Sequence, residues 1–237
     1  MNKVIRAEFG RTINAGLIIA IAGIIFSICF DSFNDLIAGL RNGQGYVGYF
    51  FSNAAFGGMC THYMLPVFTA LPFSVSLCQE RNNKAVSYIV SREGKNRYIF
   101  AKFIVSAISG GFVAVCGTVL LFLMLAMRFP IAGDEFEGAV VSDYFHEWSA
   151  VYYPQLYILT LSILAFCRGV IWSSLALCVS LYTSDFMVVL LSPFLGSYVL
   201  VRIFQIIRVP DMVRPDMILI GQVVIKSSGL TLLIAIA

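Results

Sequence analysis

Long apolar runs separated by short polar segments dominate the chain. Runs of membrane-crossing length cover residues 13–30, 59–78, 103–127, 156–181 and 186–207, and a sixth covers 217–237. An α-helix needs about 20 mostly apolar residues to cross the hydrocarbon of a bilayer. Alternation at the period of a strand is missing, which argues against a β-barrel. Backbone groups in hydrocarbon must be satisfied within the segment, so each run predicts a helix.

The two ends of this pattern are less regular. On a helical wheel of residues 1–12, Ile5, Phe9, Thr12 and Ile13 share one face, and Lys3, Arg6 and Arg11 lie off it. That pattern suits a short helix lying on a membrane surface; a disordered basic leader is the alternative. At the other end, a single span over 217–237 would carry Lys226 near its middle. The other division makes residues 209–226 a re-entrant element and starts the sixth span near Ser228. On that division too little chain remains to cross, and the expectation is that the natural chain continues past Ala237. The fold class expected is thus an all-α polytopic membrane protein. It has six transmembrane helices, an N-terminal interfacial helix (residues 1–12) and a re-entrant segment before the sixth span. Residues 13–237 form one transmembrane domain.

Composition agrees. Hydrophobic residues make up 59% and charged residues 12%, about half the charged share of an ordinary soluble domain, and mean hydropathy is +0.86. A net charge of +3 without a large basic cluster argues against nucleic-acid binding. Of the six cysteines, none stands in a C-x-x-C pair, and five lie in or beside apolar runs. They read as small hydrophobes packed among helices, neither disulfide framework nor zinc site. The first run has no A-x-A exit, so it reads as an anchor and not a cleaved signal.

Lysine and arginine set orientation. Lys3, Arg6 and Arg11 precede the first run, and Arg81, Lys84, Arg92, Lys95, Arg97 and Lys102 lie between the second and third. If the spans alternate, both segments fall on one side. Residues 128–155 hold one arginine against five acids, which marks an external acidic loop. The N-terminus is therefore expected in the cytoplasm.

The third run carries Ser106, Gly110, Ala114 and Thr118 at four-residue spacing, a stripe that lets helices approach closely. Pro66 and Pro72 in the second run and Pro193 in the fifth predict bends. Tyr144, Phe145, Trp148, Tyr152 and Tyr153 read as an interfacial aromatic belt, or else as an outer vestibule. Residues 45–58 read as a helix on the outer leaflet. Arg168 lies mid-way along the fourth run, where an arginine costs roughly 2.5–3.5 kcal/mol on insertion scales. No acid lies at matching depth. Its partners are carbonyls and hydroxyls, a neighbouring subunit, or an anionic group on a cargo; a shifted span boundary is the remaining reading.

The polar stretch 79–96 reads QERNNKAVSYIVSREGKN. Its centre, residues 84–92, predicts a short helix with Ala85, Val86, Ile89 and Val90 apolar, closed by Gly94. It is either a handle for a partner or an ordinary positive-inside loop.

Taken in order, Pro66-x5-Pro72-Phe73, Gln79-Glu80-Arg81, Tyr88-Ile89-x2-Arg92-x-Gly94 and Arg97-Tyr98-x3-Lys102 resemble the small type-2 ABC exporter permeases of bacteria. Ser180-Leu181-Tyr182-Thr183-Ser184-Asp185 and Ser192-Pro193-Phe194 look like that family's tight turn between the fourth and fifth spans. The resemblance runs the length of the chain. It implies a multi-pass protein of the bacterial cell membrane that pairs with a second permease subunit, identical or homologous, and sits on cytoplasmic ABC ATPase subunits. It implies that the hairpin 79–102 couples to the ATPase through Glu80, Arg81, Tyr88, Arg92, Glu93 and Arg97. It also implies export of an amphipathic peptide, drug or lipid-like cargo, for which Arg168 is the candidate intramembrane polar site.

Motifs for other chemistry are missing. The chain holds no G-x-x-x-x-G-K-[ST], so ATP hydrolysis would come from a partner. His146-Glu147 lacks the second histidine of H-E-x-x-H, and only His62 and His146 exist. No catalytic, cofactor or metal role is expected. The competing function is a stand-alone secondary transporter or channel. A coupled carrier should carry acids within its spans, and the runs here show none. A purely structural membrane partner would leave the basic hairpin without a reason.

Overall fold

A computed structural model describes residues 2–42, 47, 58–74, 76–130, 154–210, 214 and 236. The described chain is helical. The helices are α1 (Asn2–Thr12), α2 (Ala15–Asp31), α3 (Phe33–Asn42), α4 (Met59–Ala70), α5 (Ser76–Asn82), α6 (Ala85–Glu93), α7 (Lys95–Ala126), α8 (Pro154–Ser180) and α9 (Phe186–Ile207). Helices α7, α8 and α9 are long and apolar enough to cross a membrane, and α2 joins them if it counts with α3 as one bent span.

The distribution of residue types within the bundle fits lipid as the solvent. Along α7 the buried positions include Ser106, Ser109, Gly110, Ala114, Gly117 and Thr118. The exposed positions include Phe103, Phe112, Leu120, Leu123 and Met124. A soluble bundle places these the other way round, whereas helices in lipid pack through small residues. The predicted small-residue stripe is this buried face, and its principal partner is α8. A Cβ on Gly110 would meet Ser173 Cβ at 2.4 Å, and one on Gly169 would meet the Gly110 carbonyl oxygen at 2.4 Å. The two backbones thus touch where α7 and α8 cross. Apolar side chains of α2, α4, α7 and α8 fill a core around Ile24, Leu65, Val113, Phe122 and Leu161.

The first expected span ends in a sharp bend, and the second is interrupted. α2 ends at Asp31, and α3 leaves it at 70°. The Asp31 carboxylate then accepts from the backbone N–H groups of Cys60, at 2.9 Å, and Thr61, at 2.6 Å. This satisfies free donors in the first turn of α4 and places a negative charge at its positive dipole end. The second run, expected as one helix over 59–78, is broken at Leu71–Ser74. Pro72 has no N–H to continue the ladder there. The break is held by side chains: Asn14 Nδ2 donates to the Pro72 carbonyl at 3.3 Å, and Ser74 Oγ lies 3.0 Å from both Ser106 Oγ and the Ser173 carbonyl oxygen. The re-entrant segment and sixth span expected after residue 208 lie outside the described residues, apart from isolated positions.

Candidate functional site

At the end of the bundle that carries the N-terminus, three helices each contribute polar residues one turn apart. These are Glu8 and Arg11 on α1, Ser76 and Glu80 on α5, and Tyr98 and Lys102 on α7. Spacings of three and four residues put each pair on one helix face. Asn14 brings α1 into place. Its backbone is extended, its side chain accepts from Leu17 N at 3.1 Å to cap α2, and its Nδ2 donates to the Arg11 carbonyl oxygen at 3.1 Å.

The groups meet around Lys102, which is 1% exposed. Its Nζ donates to Glu8 Oε2 at 2.9 Å, Glu80 Oε1 at 2.8 Å and Ser76 Oγ at 3.2 Å. An ammonium has three hydrogens, and all three are used. Phe73 and Tyr98 close over it, with ring centroids at 4.9 Å and 5.7 Å, within the range of a cation–π attraction. Arg11 bonds to Glu80 Oε1 and, at 3.4 Å, to Glu8 Oε1, and the Tyr98 hydroxyl donates to Glu80 Oε2. Every carboxylate oxygen has a donor. Two acids and two bases balance, which is what allows charge to be buried at all.

The next two residues of α5 bind a different helix. Arg81 Nη1 donates to the carbonyl oxygens of Ser180, at 3.3 Å, and Leu181, at 3.0 Å. Asn82 Nδ2 donates to the Ser184 carbonyl at 3.3 Å. The last carbonyls of a helix lack partners along the helix, and a cation there complements the dipole. This clamp fixes the tight turn between α8 and α9. On its far side Asp185 caps α9, accepting from Met187 N at 2.9 Å.

Between these two anchors lies α6, the short helix expected from the polar stretch. Val86, Ile89 and Val90 pack on Leu77, Tyr98 and Leu177. The opposite face carries Tyr88, 79% exposed, with Ser91 and Arg92 exposed beside it. Gly94 ends the helix as expected, donating to the Val90 carbonyl at 2.9 Å. Its φ of +83° with ψ of 140° is a conformation open essentially to glycine alone. The same residue starts α7, since Tyr98 N donates to its carbonyl at 3.1 Å.

The six residues assigned to coupling therefore divide. Tyr88, Arg92 and Arg97 are exposed on α6 and the first turn of α7. Glu80 is buried in the ion cluster, and Arg81 is committed to the end of α8. The Glu93 side chain lies outside the described residues. Sequence reasoning did not single out Glu8, Tyr98 or Lys102 as a site. The available signal was Glu8 itself, the only acid before Asp31.

Arg168 stands apart from this cluster. It lies on the inward face of α8 with Leu164, Ala165 and Trp172, and is 6% exposed. Among the described residues no carboxylate, hydroxyl or carbonyl is bonded to its guanidinium. The aromatic group before α8 and the surface helix expected over 45–58 lie outside the described residues, Val47, Gly58 and the backbone of Pro154 apart. Among the described residues no group of three or more histidine, cysteine or acidic side chains is arranged to hold a metal. No protein-family model, curated protein or solved structure matches this chain.

Proposed function

We propose that the chain is the membrane-spanning permease subunit of an ATP-driven exporter, with a separate ATPase received at α6. The observation that supports this most is the mounting of α6. It is packed on the ends of α7 and α8 by its apolar face, and its other face presents Tyr88 and Arg92 outward. A loop that served orientation alone would need no such support.

The roles within the hairpin follow from position. Tyr88, Arg92 and Arg97 are the contact residues. Glu80 and Arg81 are positioning residues that hold α6 to the spans. ATP hydrolysis is supplied by the partner, and a second permease subunit completes the path. The cargo is an amphipathic peptide, drug or lipid-like molecule, because the spans offer apolar walls and few polar anchors. Arg168 would meet an anionic group on that cargo. The proposed location is the bacterial cell membrane, N-terminus in the cytoplasm.

Co-purification tests the reading. The chain expressed in its native host should bring down an ATPase, and the triple variant Tyr88→Ala, Arg92→Ala, Arg97→Ala should release it while remaining in the membrane. Retention of the ATPase by the triple variant would sink the assignment. Orientation is tested separately with an impermeant thiol reagent on intact cells. It should label a cysteine placed at Glu137 and miss one at Asn83.

A further inference from the structure

A groove of about 650 Å³ runs between α6 and the first turns of α7. Val86, Val90 and Ile99 line it together with Arg81, Lys84 and Lys95. No acid lines it among the described residues, and neither Lys84 nor Lys95 has a described carboxylate within ion-pair distance. The groove thus combines an apolar lining with three cations. That is the complement of a molecule with a hydrocarbon portion and an anionic head.

Its depth selects the class of molecule. The apolar run of α7 begins at Phe103, which is exposed, as is Phe100. At 1.5 Å per residue, Ile99 lies about 6 Å and Lys95 about 12 Å beyond Phe103 along the helix. Each headgroup layer of a bilayer is about 5–8 Å thick. Ile99 therefore falls in the headgroup layer; the Lys95 backbone lies past it, and its long side chain can reach back to a phosphate there. The exposed Tyr88 lies off this apolar face of α6, on the face proposed above for the ATPase.

We propose that this groove holds one anionic phospholipid of the adjacent leaflet. Its phosphate would meet Lys84, Lys95 and the unused nitrogens of Arg81, and the upper part of an acyl chain would lie on Val86, Val90 and Ile99. A lipid there wedges α6 from beneath and ties its angle to the charge of the membrane. The site stands or falls independently of whether an ATPase docks on the other face.

The test uses the full chain in mixed micelles with equal phosphatidylglycerol and phosphatidylcholine, read by native mass spectrometry. One phosphatidylglycerol should be retained in preference to phosphatidylcholine. The double variant Lys84→Asn, Lys95→Gln should lower that preference about tenfold; asparagine suits the left-handed backbone at Lys84, where φ is +54°. Val90→Trp should fill the groove and remove the retained lipid with all charges in place. The double arginine variant should keep it. Unchanged retention in the double variant or in Val90→Trp would overturn the proposal. So would displacement of the lipid by soluble glycerol phosphate, which would make the site one for a free anion.

Discussion

Lys102 and Arg168 are both buried, and their surroundings are opposite. Lys102 has two carboxylates, a hydroxyl and two aromatic rings within reach. Arg168, almost as deeply enclosed, has no bonded partner among the described residues. The energetics differ accordingly. A buried charge with a complete set of partners roughly recovers its desolvation cost, and removing one partner exposes that cost. A buried charge without partners carries the cost in every folded molecule, and an arginine cannot escape it by losing its proton. Lys102 is explained by the fold. Arg168 has no such explanation among the described residues, which is why it carries the cargo hypothesis.

The largest effect that could break this comparison is at Lys102. Lys102→Met leaves Glu8 and Glu80 facing Arg11 alone, and should lower stability by about 3–5 kcal/mol, read as a fall in thermal midpoint in detergent. Adding Glu8→Gln removes one charge of the opposite sign, and most of the loss should return. If the double variant is no better than the single, the cluster is not the balanced unit described above.

Arg168→Leu should act in the reverse sense. It removes a cost of roughly 2.5–3.5 kcal/mol, so the variant should be at least as stable as the parent. Transport, or cargo-stimulated ATP hydrolysis by the partner, should fall. Arg168→Lys keeps the charge and loses the planar fork of five donors; its failure alongside leucine would point to bidentate recognition. A stable leucine variant with full transport would end the cargo role and reduce Arg168 to a tolerated expense.

A smaller effect is expected at the junction that carries α6. Gly94→Ala places no atom in contact with a neighbour, so its effect is backbone strain alone, about 1–3 kcal/mol. It should shift the thermal midpoint and weaken ATPase co-purification together. The smallest change in stability belongs to Arg92→Ala and Tyr88→Ala, which should stay within about 0.5 kcal/mol of the parent. They should nevertheless lose partner binding. If Gly94→Ala spares binding while lowering stability, the mounting of α6 is not what presents its outer face.

What could be read in advance was whatever repeats along one helix. The small-residue stripe of α7, the apolar face of α6 and its glycine stop, and the turn between α8 and α9 are all local patterns. The ion cluster is not local. Lys102 meets Glu8 across 94 residues and Glu80 across 22, and no periodicity links them. Glu8 was hidden among basic neighbours that suggested a surface helix, yet it lies on the buried face with Thr12, while Ile13 from the apolar face is exposed. Arg81 was legible as a cation in a basic hairpin, but its target is two backbone carbonyls, which sequence does not mark. The break at Leu71–Ser74 was legible only as two prolines in an apolar run. Hydropathy counts residues without asking whether the helix is continuous.

The contact of Gly110 with Gly169 has a mechanical consequence. It lies about 22 Å from the start of α7 and about 24 Å from its end, counted at 1.5 Å per residue. Backbones this close cannot slide past one another without collision, but they can rock. A tilt of α7 about that point is a seesaw with nearly equal arms. Whatever moves Lys95 by about 2 Å at one end moves Ala126 by about the same distance the other way, so a push on the α6 mount would arrive at the far mouth of the bundle at full amplitude and with its direction reversed.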